Sequence, residues 1–176
     1  MRIERPNRRK SCKRAFTLVE LILVLTLLAI IITVAAPSLK NFFRGRELDS
    51  EARRLLSLTH AGQSRAVSEG LPMLLWIDKD QGVYGLQEET SAQGDPKNTD
   101  PKAEDFTINA NLQLDAINAK AVSINNRSLP AIRFMPDGSV DESSPSILHL
   151  TDVTGAALWL VEATNHMSYE IRSTDR

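Results

Sequence analysis

Residues 16–36 read FTLVELILVLTLLAIIITVAA, an unbroken apolar run in which Glu20 is the only ionisable residue. As an α-helix this run would rise about 31 Å, close to the thickness of the hydrocarbon core of a bilayer. We therefore predict a transmembrane helix over residues 16–37. A carboxylate inside such a helix is energetically unfavourable, which makes Glu20 a candidate functional residue.

The segment before the run is strongly basic. Residues 1–15 contain seven arginines and lysines and one acid, Glu4. Positive charge beside a membrane helix is retained in the cytoplasm, so we predict a single-pass protein with a cytoplasmic N-terminus and an exported C-terminal domain. A secretory signal peptide would have a shorter apolar stretch and a cleavage site before polar sequence, whereas here Pro37 directly follows Ala35 and Ala36.

The junction between the two segments, KRAFTLVE at residues 13–20, resembles the class III signal of type IV prepilins and type II secretion pseudopilins. The resemblance implies that a prepilin peptidase of the bacterial inner membrane cleaves between Ala15 and Phe16 and that the new Phe16 amine is methylated. The family usually has glycine before the cut; this chain has Ala15, which keeps the small size. The alternative is an ordinary signal anchor in which Glu20 lies at the headgroup boundary.

The same resemblance implies a role in assembly for Glu20. In the family this carboxylate is thought to meet the N-terminal amine of a neighbouring subunit, because a charge carried into an apolar filament core must be paired. The alternative is that Glu20 caps the N-terminus of its own helix, where a negative charge is favourable by about 0.3–1 kcal/mol.

Removal of the leader would change the charge of the chain. The whole chain has a net charge of −1 and the leader carries +6, so the processed chain would carry −7 before its new amine is counted. An acidic protein is not attracted to nucleic acid, and we expect no nucleic-acid partner. The single cysteine, Cys12, lies in the leader. The processed chain would therefore have no disulfide and would depend on its apolar core.

After Pro37, which removes a helical hydrogen bond and predicts a kink, the sequence becomes amphipathic. Gly70 and Pro72 predict that the helix ends near Glu69, so an amphipathic helix is expected over residues 38–70. We expect its apolar stripe to pack on the chain's own sheet; the alternative is a stripe reserved for a partner. The stripe comprises Leu48, Ala52, Leu55, Leu56, Thr59, Ala66 and Val67.

Residues 71–176 change to the period of β-strands and predict one β-rich periplasmic domain. Turn residues at 78–82 and 151–155 separate predicted strands, and the polar segment 91–105 predicts a surface loop. The predicted fold class is α+β: a long N-terminal helix, membrane-spanning and then amphipathic, packed on an antiparallel β-sheet domain, as in type IV pilins. The predicted strands are 71–77, 83–86, 106–114, 121–124, 131–135, 147–150, 156–161 and 169–172.

A second motif narrows the family. Residues 132–139 read IRFMPDGS, and Pro136, Asp137 and Gly138 form a strong turn signal because proline fixes φ and glycine accepts positive φ. The block is similar to the Phe-x-Pro-Asp-Gly-Ser segment of the GspH/FimT group. The resemblance implies a minor pseudopilin of a type II secretion system, a structural subunit near the tip of the periplasmic pseudopilus. The runner-up is a FimT-like minor type IV pilin acting in pilus assembly, adhesion or DNA uptake.

The partners implied by this resemblance are those of a filament subunit. They are the other major and minor pseudopilins, the prepilin peptidase and N-methyltransferase, the inner-membrane assembly platform and, as further candidates, the secretin or the secreted cargo. A third alternative, from another class, is a signal-anchored periplasmic binding domain that never polymerises. The cleavage motif and Glu20 favour the two filament functions over this one.

Catalytic patterns are weak throughout the chain. His60, His149 and His166 are far apart in sequence and lack metal-ligand spacing, and no serine or cysteine lies in a nucleophile motif. We therefore expect no enzymatic activity, no cofactor and no metal centre.

Two further features have competing interpretations. Asp78 and Asp80, in the segment DKDQG, weakly suggest calcium ligation, but the loop is too short for an EF-hand and lacks its distal glutamate. A plain hairpin turn is the preferred interpretation. Trp76 and Trp159 lie in apolar strand patterns, so we expect both in the core rather than on a binding surface.

Overall fold

The computed structural model describes residues 17–91 and 100–173. The leader and the predicted cleavage junction at Ala15 and Phe16 lie outside these residues. The chain divides into two compact units, one ending at Asn41 and the other beginning at Phe42. Among the residues that the structure describes, no helix combines the length and the hydropathy of a membrane-spanning segment.

A single helix, α1, spans Leu18–Glu69 and continues through Pro37. The helix ends at Glu69, the position predicted from Gly70 and Pro72. Gly70 has a φ of +69°, and its amide donates a hydrogen bond to the carbonyl of Ala66 at 3.0 Å. This positive φ is the conformation in which glycine terminates helices, and Pro72 then prevents the helix from resuming.

In residues 70–91 and 100–173, nine strands follow α1 and form two antiparallel sheets. The five-stranded sheet has the order β3-β2-β1-β6-β5, and the four-stranded sheet has the order β4-β7-β8-β9. The predicted α+β class, with a helix packed on antiparallel sheet, is confirmed. The strands are β1 Met73–Asp78, β2 Val83–Glu88, β3 Glu104–Thr107, β4 Leu112–Ile117, β5 Ala121–Ile124, β6 Arg127–Phe134, β7 Ile147–Asp152, β8 Ala157–Glu162 and β9 Tyr169–Arg172.

The strand predicted over residues 106–114 is wrong. The structure has two strands here, β3 and β4, and they belong to different sheets. Asn109 makes the break: its side chain accepts a hydrogen bond from the Asn111 amide at 3.0 Å, and its carbonyl accepts one from the Leu112 amide at 2.8 Å. Asparagine forms such local turns readily, and the apolar periodicity on either side of it concealed the turn.

The main core lies between α1 and the two sheets. Most of the predicted apolar stripe packs there, which confirms that the helix uses this face for its own domain. Two positions differ from the prediction: Leu58 is buried, and Val67 is 55% exposed. The core includes Leu48, Ala52, Leu55 and Ala66 of α1, Leu75, Ile132 and Phe134 of the first sheet, and Leu148, Leu150 and Leu160 of the second.

Helix α1 lies very close to the five-stranded sheet at Gly62. A Cβ placed on this buried glycine would be 2.7 Å from two ring carbons of Phe134 and 3.0 Å from a methyl carbon of Leu86. Carbon atoms do not normally approach so closely. Glycine is therefore required here by the distance between helix and sheet.

Strand β1 is buried along its whole length. Met73, Leu75 and Ile77 belong to the main core, whereas Leu74 and Trp76 point to the other face of the sheet, as alternation along a strand requires. There they pack with Ile124 and Ala131 in a second apolar cluster; Val83, Val122 and Leu129 are partly buried against it. Trp76 is thus a core residue, as predicted.

A buried carboxylate connects α1 to strands β2 and β3. Glu51 is only 6% exposed, and its Oε1 accepts a hydrogen bond from the Tyr84 hydroxyl at 2.6 Å. Its Oε2 lies 3.3 Å from Nη1 of Arg54, whose guanidinium is also 5.6 Å above the Phe106 ring. Burial is the main cause that raises the pKa of Tyr84, and the hydrogen bond to Glu51 raises it further. The phenol therefore remains a donor to the carboxylate at any physiological pH.

Replacing Tyr84 with phenylalanine should destabilise the domain by about 2 kcal/mol, because the change leaves Oε1 of the buried Glu51 carboxylate without its donor while keeping the ring. Tyr169→Phe is the matched control. Its hydroxyl donates at 2.6 Å to the neutral carbonyl of Pro145, a hydrogen bond worth about 1 kcal/mol. Chemical denaturation of the unit beginning at Phe42 measures both changes. An equal or larger loss in Tyr169→Phe would contradict the role assigned to the Glu51 charge.

Candidate functional site

The sequence placed the candidate assembly site at the start of α1. Ala15 and Phe16 lie outside the described residues, whereas Glu20 lies in the first turn of the helix and is exposed. Within the described part of the chain, the Glu20 side chain makes no hydrogen bond or ion pair, and the hydrogen bond to Thr17 is made by its backbone amide. Its predicted pairing with a neighbouring amine stays a prediction.

Thr17 caps the N-terminus of α1. Its Oγ1 accepts a hydrogen bond from the Glu20 amide at 3.3 Å, and its carbonyl accepts one from the Leu21 amide at 3.2 Å. Threonine at the cap with glutamate three residues later is the sequence pattern of a capping box, which sequence reasoning had overlooked here. The first turn of the helix is thus stabilised by the Thr17 hydroxyl, and the acidic Glu20 lies in the same turn.

The helix after Glu20 exposes apolar side chains on all sides. Leucine, isoleucine and valine residues between Leu18 and Ile32 are 49–73% exposed. The hydroxyls of Thr26 and Thr33 are satisfied by carbonyls of the preceding helical turn, at 2.9 Å from Leu23 and 2.7 Å from Ile30. A helix that is apolar all round needs an apolar environment, supplied by lipid or by other helices.

The Pro136-Asp137-Gly138-Ser139 motif forms a tight turn after β6. The Asp137 carboxylate accepts hydrogen bonds from the Ser139 hydroxyl at 2.6 Å and from the Ser139 amide at 2.9 Å. These two hydrogen bonds hold the pKa of Asp137 below its usual value, and the bond from the Ser139 hydroxyl has the larger effect. Gly138 has a φ of +86°, which explains the glycine of the motif.

The candidate calcium residues form a hairpin turn between β1 and β2. Asp78 is buried; one of its oxygens accepts a hydrogen bond from the Gln81 amide at 3.2 Å, and the other pairs with Arg127. Lys79, between the two aspartates, pairs with Asp115 at 2.9 Å. Among the described residues there is no group of three or more metal-ligating side chains. The carboxylate of Asp78 is thus used by the turn itself.

The three histidines occupy separate elements. His60 is on α1, His166 lies in the turn after β8 with its Nδ1 2.8 Å from Glu162, and His149 of β7 stacks on Trp159 of β8 with ring centres 5.0 Å apart. Trp159 is half-buried on the sheet, so the expectation that it lies in the core is only partly met. None of these arrangements brings two histidines together.

Asp100 is a buried residue within the predicted surface loop 91–105, of which residues 92–99 lie outside the described part of the chain. Its side chain is 1% exposed and lies 3.0 Å from Nη2 of Arg65 on α1. It also accepts hydrogen bonds from the amides of Glu88 at 3.0 Å and Lys102 at 2.8 Å. Sequence reasoning had no signal for this role, because an aspartate before proline in a polar segment is typical of exposed loops.

Two family models match the chain. Residues 10–36 match the prokaryotic N-terminal methylation motif, and residues 51–170 match the family described as type II transport protein GspH. Among solved structures, the minor pseudopilin EpsH from the type 2 secretion system of Vibrio cholerae is similar. It has 15% sequence identity and a TM-score of 0.54, over 74% of this chain and 99% of that one. At this identity the likeness establishes the fold. No curated protein sequence matches.

Proposed function

Because the chain belongs to the GspH family of type II transport proteins, we propose that it is a minor pseudopilin placed near the tip of the periplasmic pseudopilus of a type II secretion system. The observation that carries this proposal is the presence, in one chain, of the N-terminal methylation motif and the GspH domain. The first feature is typical of subunits that are processed for filament assembly. The second favours the secretion role over the FimT-like pilus alternative, because the matched family is described as one of type II transport.

The function is structural. Family membership and the pseudopilin fold are those of a filament subunit, which bears out the expectation that the chain is not an enzyme. In this role the exposed apolar part of α1, from Leu18 to Ile32, is covered by the lipid of the inner membrane before assembly. In the filament it is covered by the helices of neighbouring pseudopilins. The domain that begins at Phe42 lies in the periplasm.

In the proposed role, two other components of the system prepare and insert this subunit. The prepilin peptidase removes residues 1–15 and methylates the amine of Phe16, and the inner-membrane platform then inserts the subunit among the other pseudopilins. Each inserted subunit brings a positively charged amine into an apolar surrounding, where an unpaired charge is strongly penalised. Glu20 of the same family motif supplies the compensating carboxylate. Near the tip, the domain is in a position to meet the secretin or the secreted cargo.

Processing at the Ala15–Phe16 junction tests the proposal directly. Mass spectrometry of the protein extracted from membranes should find N-methylated Phe16 as the first residue. In a strain without the prepilin peptidase, residues 1–15 should remain attached. Ala15→Gly should speed cleavage or leave it unchanged, because glycine is the residue that the family usually has there.

The proposal fails if the intact leader persists in cells with an active peptidase. The proposed role in secretion is tested by removing this chain from the cells. Cells that lack this chain should lose secretion through the type II system and recover it when the chain is supplied again. Unchanged secretion in the deletion strain would remove the chain from the system.

A further inference from the structure

Strand β5 lies at one edge of the five-stranded sheet, where its one neighbour among the described strands is β6. The two strands are joined by Asn125 and Asn126, which both have positive φ, so the connection is a two-residue hairpin of type I′. In such a hairpin the flanking residues, here Ile124 and Arg127, exchange both of their backbone hydrogen bonds. This pair fixes which backbone groups of β5 face β6.

The outer edge of β5 presents unpaired backbone groups. Because bonded residues alternate along a strand, Val122 bonds to β6, while the amides and carbonyls of Ala121 and Ser123 point away from it. Both of these residues are exposed, and within the described part of the chain their outward groups have no hydrogen-bond partner. Such an edge is a template for pairing with another strand.

The other three edge strands of the two sheets carry charged residues, which are the usual protection of an edge. Strand β3 begins with Glu104 and Asp105, and strand β9 contains a glutamate and an arginine. In β4, Asp115 pairs with Lys79 at 2.9 Å. Strand β5, which reads AVSI, has neither a charged residue nor a proline. It is therefore the one described edge without this protection.

One face of β5 belongs to the second apolar cluster. Ile124 packs there with Leu74 and Trp76, and Val122 is only partly buried against the same cluster. A strand added to this edge places a side chain beside Val122 and extends the apolar cluster. The opposite face of β5 carries the small side chains of residues 121 and 123, which leave room for a neighbour.

A second copy of β5 is complementary to this edge. When two β5 strands run antiparallel about a twofold axis at Val122, Ala121 of each copy lies opposite Ser123 of the other. Both pairs are of the hydrogen-bonded kind, so four backbone hydrogen bonds form and all the outward groups of these residues are paired. The two Val122 residues then face each other with Cα atoms about 4.5 Å apart and connect the two apolar clusters.

We propose that β5 is a homotypic docking edge, through which two copies of this chain join their five-stranded sheets into one sheet of ten strands. The contact is short and belongs with weak, transient interfaces. A twofold contact closes on itself and does not propagate a filament. The pairing therefore goes beyond the role of a filament subunit, and it occurs between copies that are not yet assembled.

The cysteine content of the chain allows a disulfide test, because Cys12 is its one cysteine. Every variant carries Cys12→Ser, and the full chain is produced without other pseudopilins and oxidised in isolated membranes. Val122→Cys should form a disulfide-linked pair, because a Cα separation of about 4.5 Å is within disulfide range. Val153→Cys is the control, since Val153 is 61% exposed in the turn between β7 and β8. We expect at least about tenfold less pair from the control.

A mixed experiment tests the register. Chains with Ala121→Cys and chains with Ser123→Cys are produced together and carry different tags. The proposed register places these two thiols opposite each other, whereas the two 123 positions are offset along the strands, with Cα atoms about 8 Å apart. Disulfides need a Cα separation below about 7 Å. The mixed pair should therefore be several-fold more abundant than the pair between two 123 positions.

A proline at the edge tests the backbone hydrogen bonds. Ser123→Pro removes an amide that points away from β6, so the hairpin is kept while two of the about four bonds between copies are lost. The pair formed by Val122→Cys should fall at least about fivefold. Thr107→Pro is the matched control: the Ile108 amide bonds the Gly82 carbonyl, so the Thr107 amide points outward from β3. Circular dichroism establishes that both variants keep the fold.

The inference is overturned by equal pairing from positions 122 and 153, by a mixed pair no more abundant than the 123 pair, or by unchanged pairing in Ser123→Pro. It is also overturned if pairs form only when other pseudopilins are present, because the edge would then serve a filament contact. Methylation of Phe16 and secretion are measured separately in the complete system. If these two hold while the pair is missing, the proposed function stands and the docking edge does not.

Discussion

Replacing Glu20 with valine is expected to leave insertion and cleavage at Ala15–Phe16 intact and to reduce incorporation into the filament by at least about 100-fold. The estimate follows from the cost of leaving one charge of a buried pair without its partner, about 3–5 kcal/mol, at about 1.4 kcal/mol for each factor of ten. Insertion should not suffer, because the change makes the segment more apolar. Crosslinking to neighbouring pseudopilins and the secretion of substrates measure the effect.

Thr17 allows capping and pairing to be tested separately. The Thr17 hydroxyl bonds the Glu20 amide, so Thr17→Ala removes the cap and should cost only about 1 kcal/mol of helix stability. Glu20→Gln keeps the size of the side chain and removes its charge. If pairing is the role of Glu20, Gln should fail as valine does and Thr17→Ala should assemble. Near-normal crosslinking and secretion in Glu20→Val would remove Glu20 from the mechanism.

Replacing Gly62 with valine should destabilise the domain by about 3 kcal/mol or more. The first carbon of any side chain at this position meets the Phe134 ring at 2.7 Å and Leu86 at 3.0 Å, and the branched carbons of valine add further overlap. Overpacking of a core typically costs about 1–3 kcal/mol and exceeds this range when backbone must move. Strand β6, which carries Phe134, is paired with β1 on one side and β5 on the other, so it cannot easily move aside. The helix therefore has to move away from the sheet.

Gly45 provides the matched control, since it lies on the same helix and nothing lies within 4 Å of an added Cβ. Gly45→Val changes helix propensity by the same amount without a clash and should leave stability the same or slightly higher. Denaturant unfolding of the unit from Phe42 compares the two variants. A difference below about 1 kcal/mol between them, at unchanged m-value, would show that the helix moves away from the sheet at little cost.

Features with local causes were predictable from the sequence. The end of α1 follows from Gly70 and Pro72, and the hairpin between β1 and β2 follows from a short polar turn between two apolar strands. The limits of β5 and β9 agree with the predicted ones because turn residues border both strands. Glu20 could be singled out because a single carboxylate in a long apolar run is conspicuous in any sequence.

Features that depend on distant residues were not predictable. The division into two sheets rests on pairings such as β1 with β6 and β4 with β7, which no local pattern encodes. Asp100 is buried against Arg65 of the helix, a residue 35 positions away, and no local pattern marks Val67, which is 55% exposed, as different from the rest of the apolar stripe. Only the spacing of Thr17 and Glu20 carried a local signal that was overlooked.

If the domain is exported as the proposed function requires, the burial of β1 on both faces sets an order of events during export. Strand β1 emerges soon after the helix and is followed directly by its partner β2. Its other edge pairs with β6, and its second face packs on Ala131 of β6 and Ile124 of β5. Roughly 40 residues separate the end of β2 from that part of β6, which takes about 2–8 s to synthesise at 5–20 residues per second. During this interval Leu74 and Trp76 are uncovered and one strand edge is unpaired, the condition under which chains aggregate. We expect the emerging chain to be held by periplasmic chaperones over these seconds, and to be released when residues 127–134 complete the sheet.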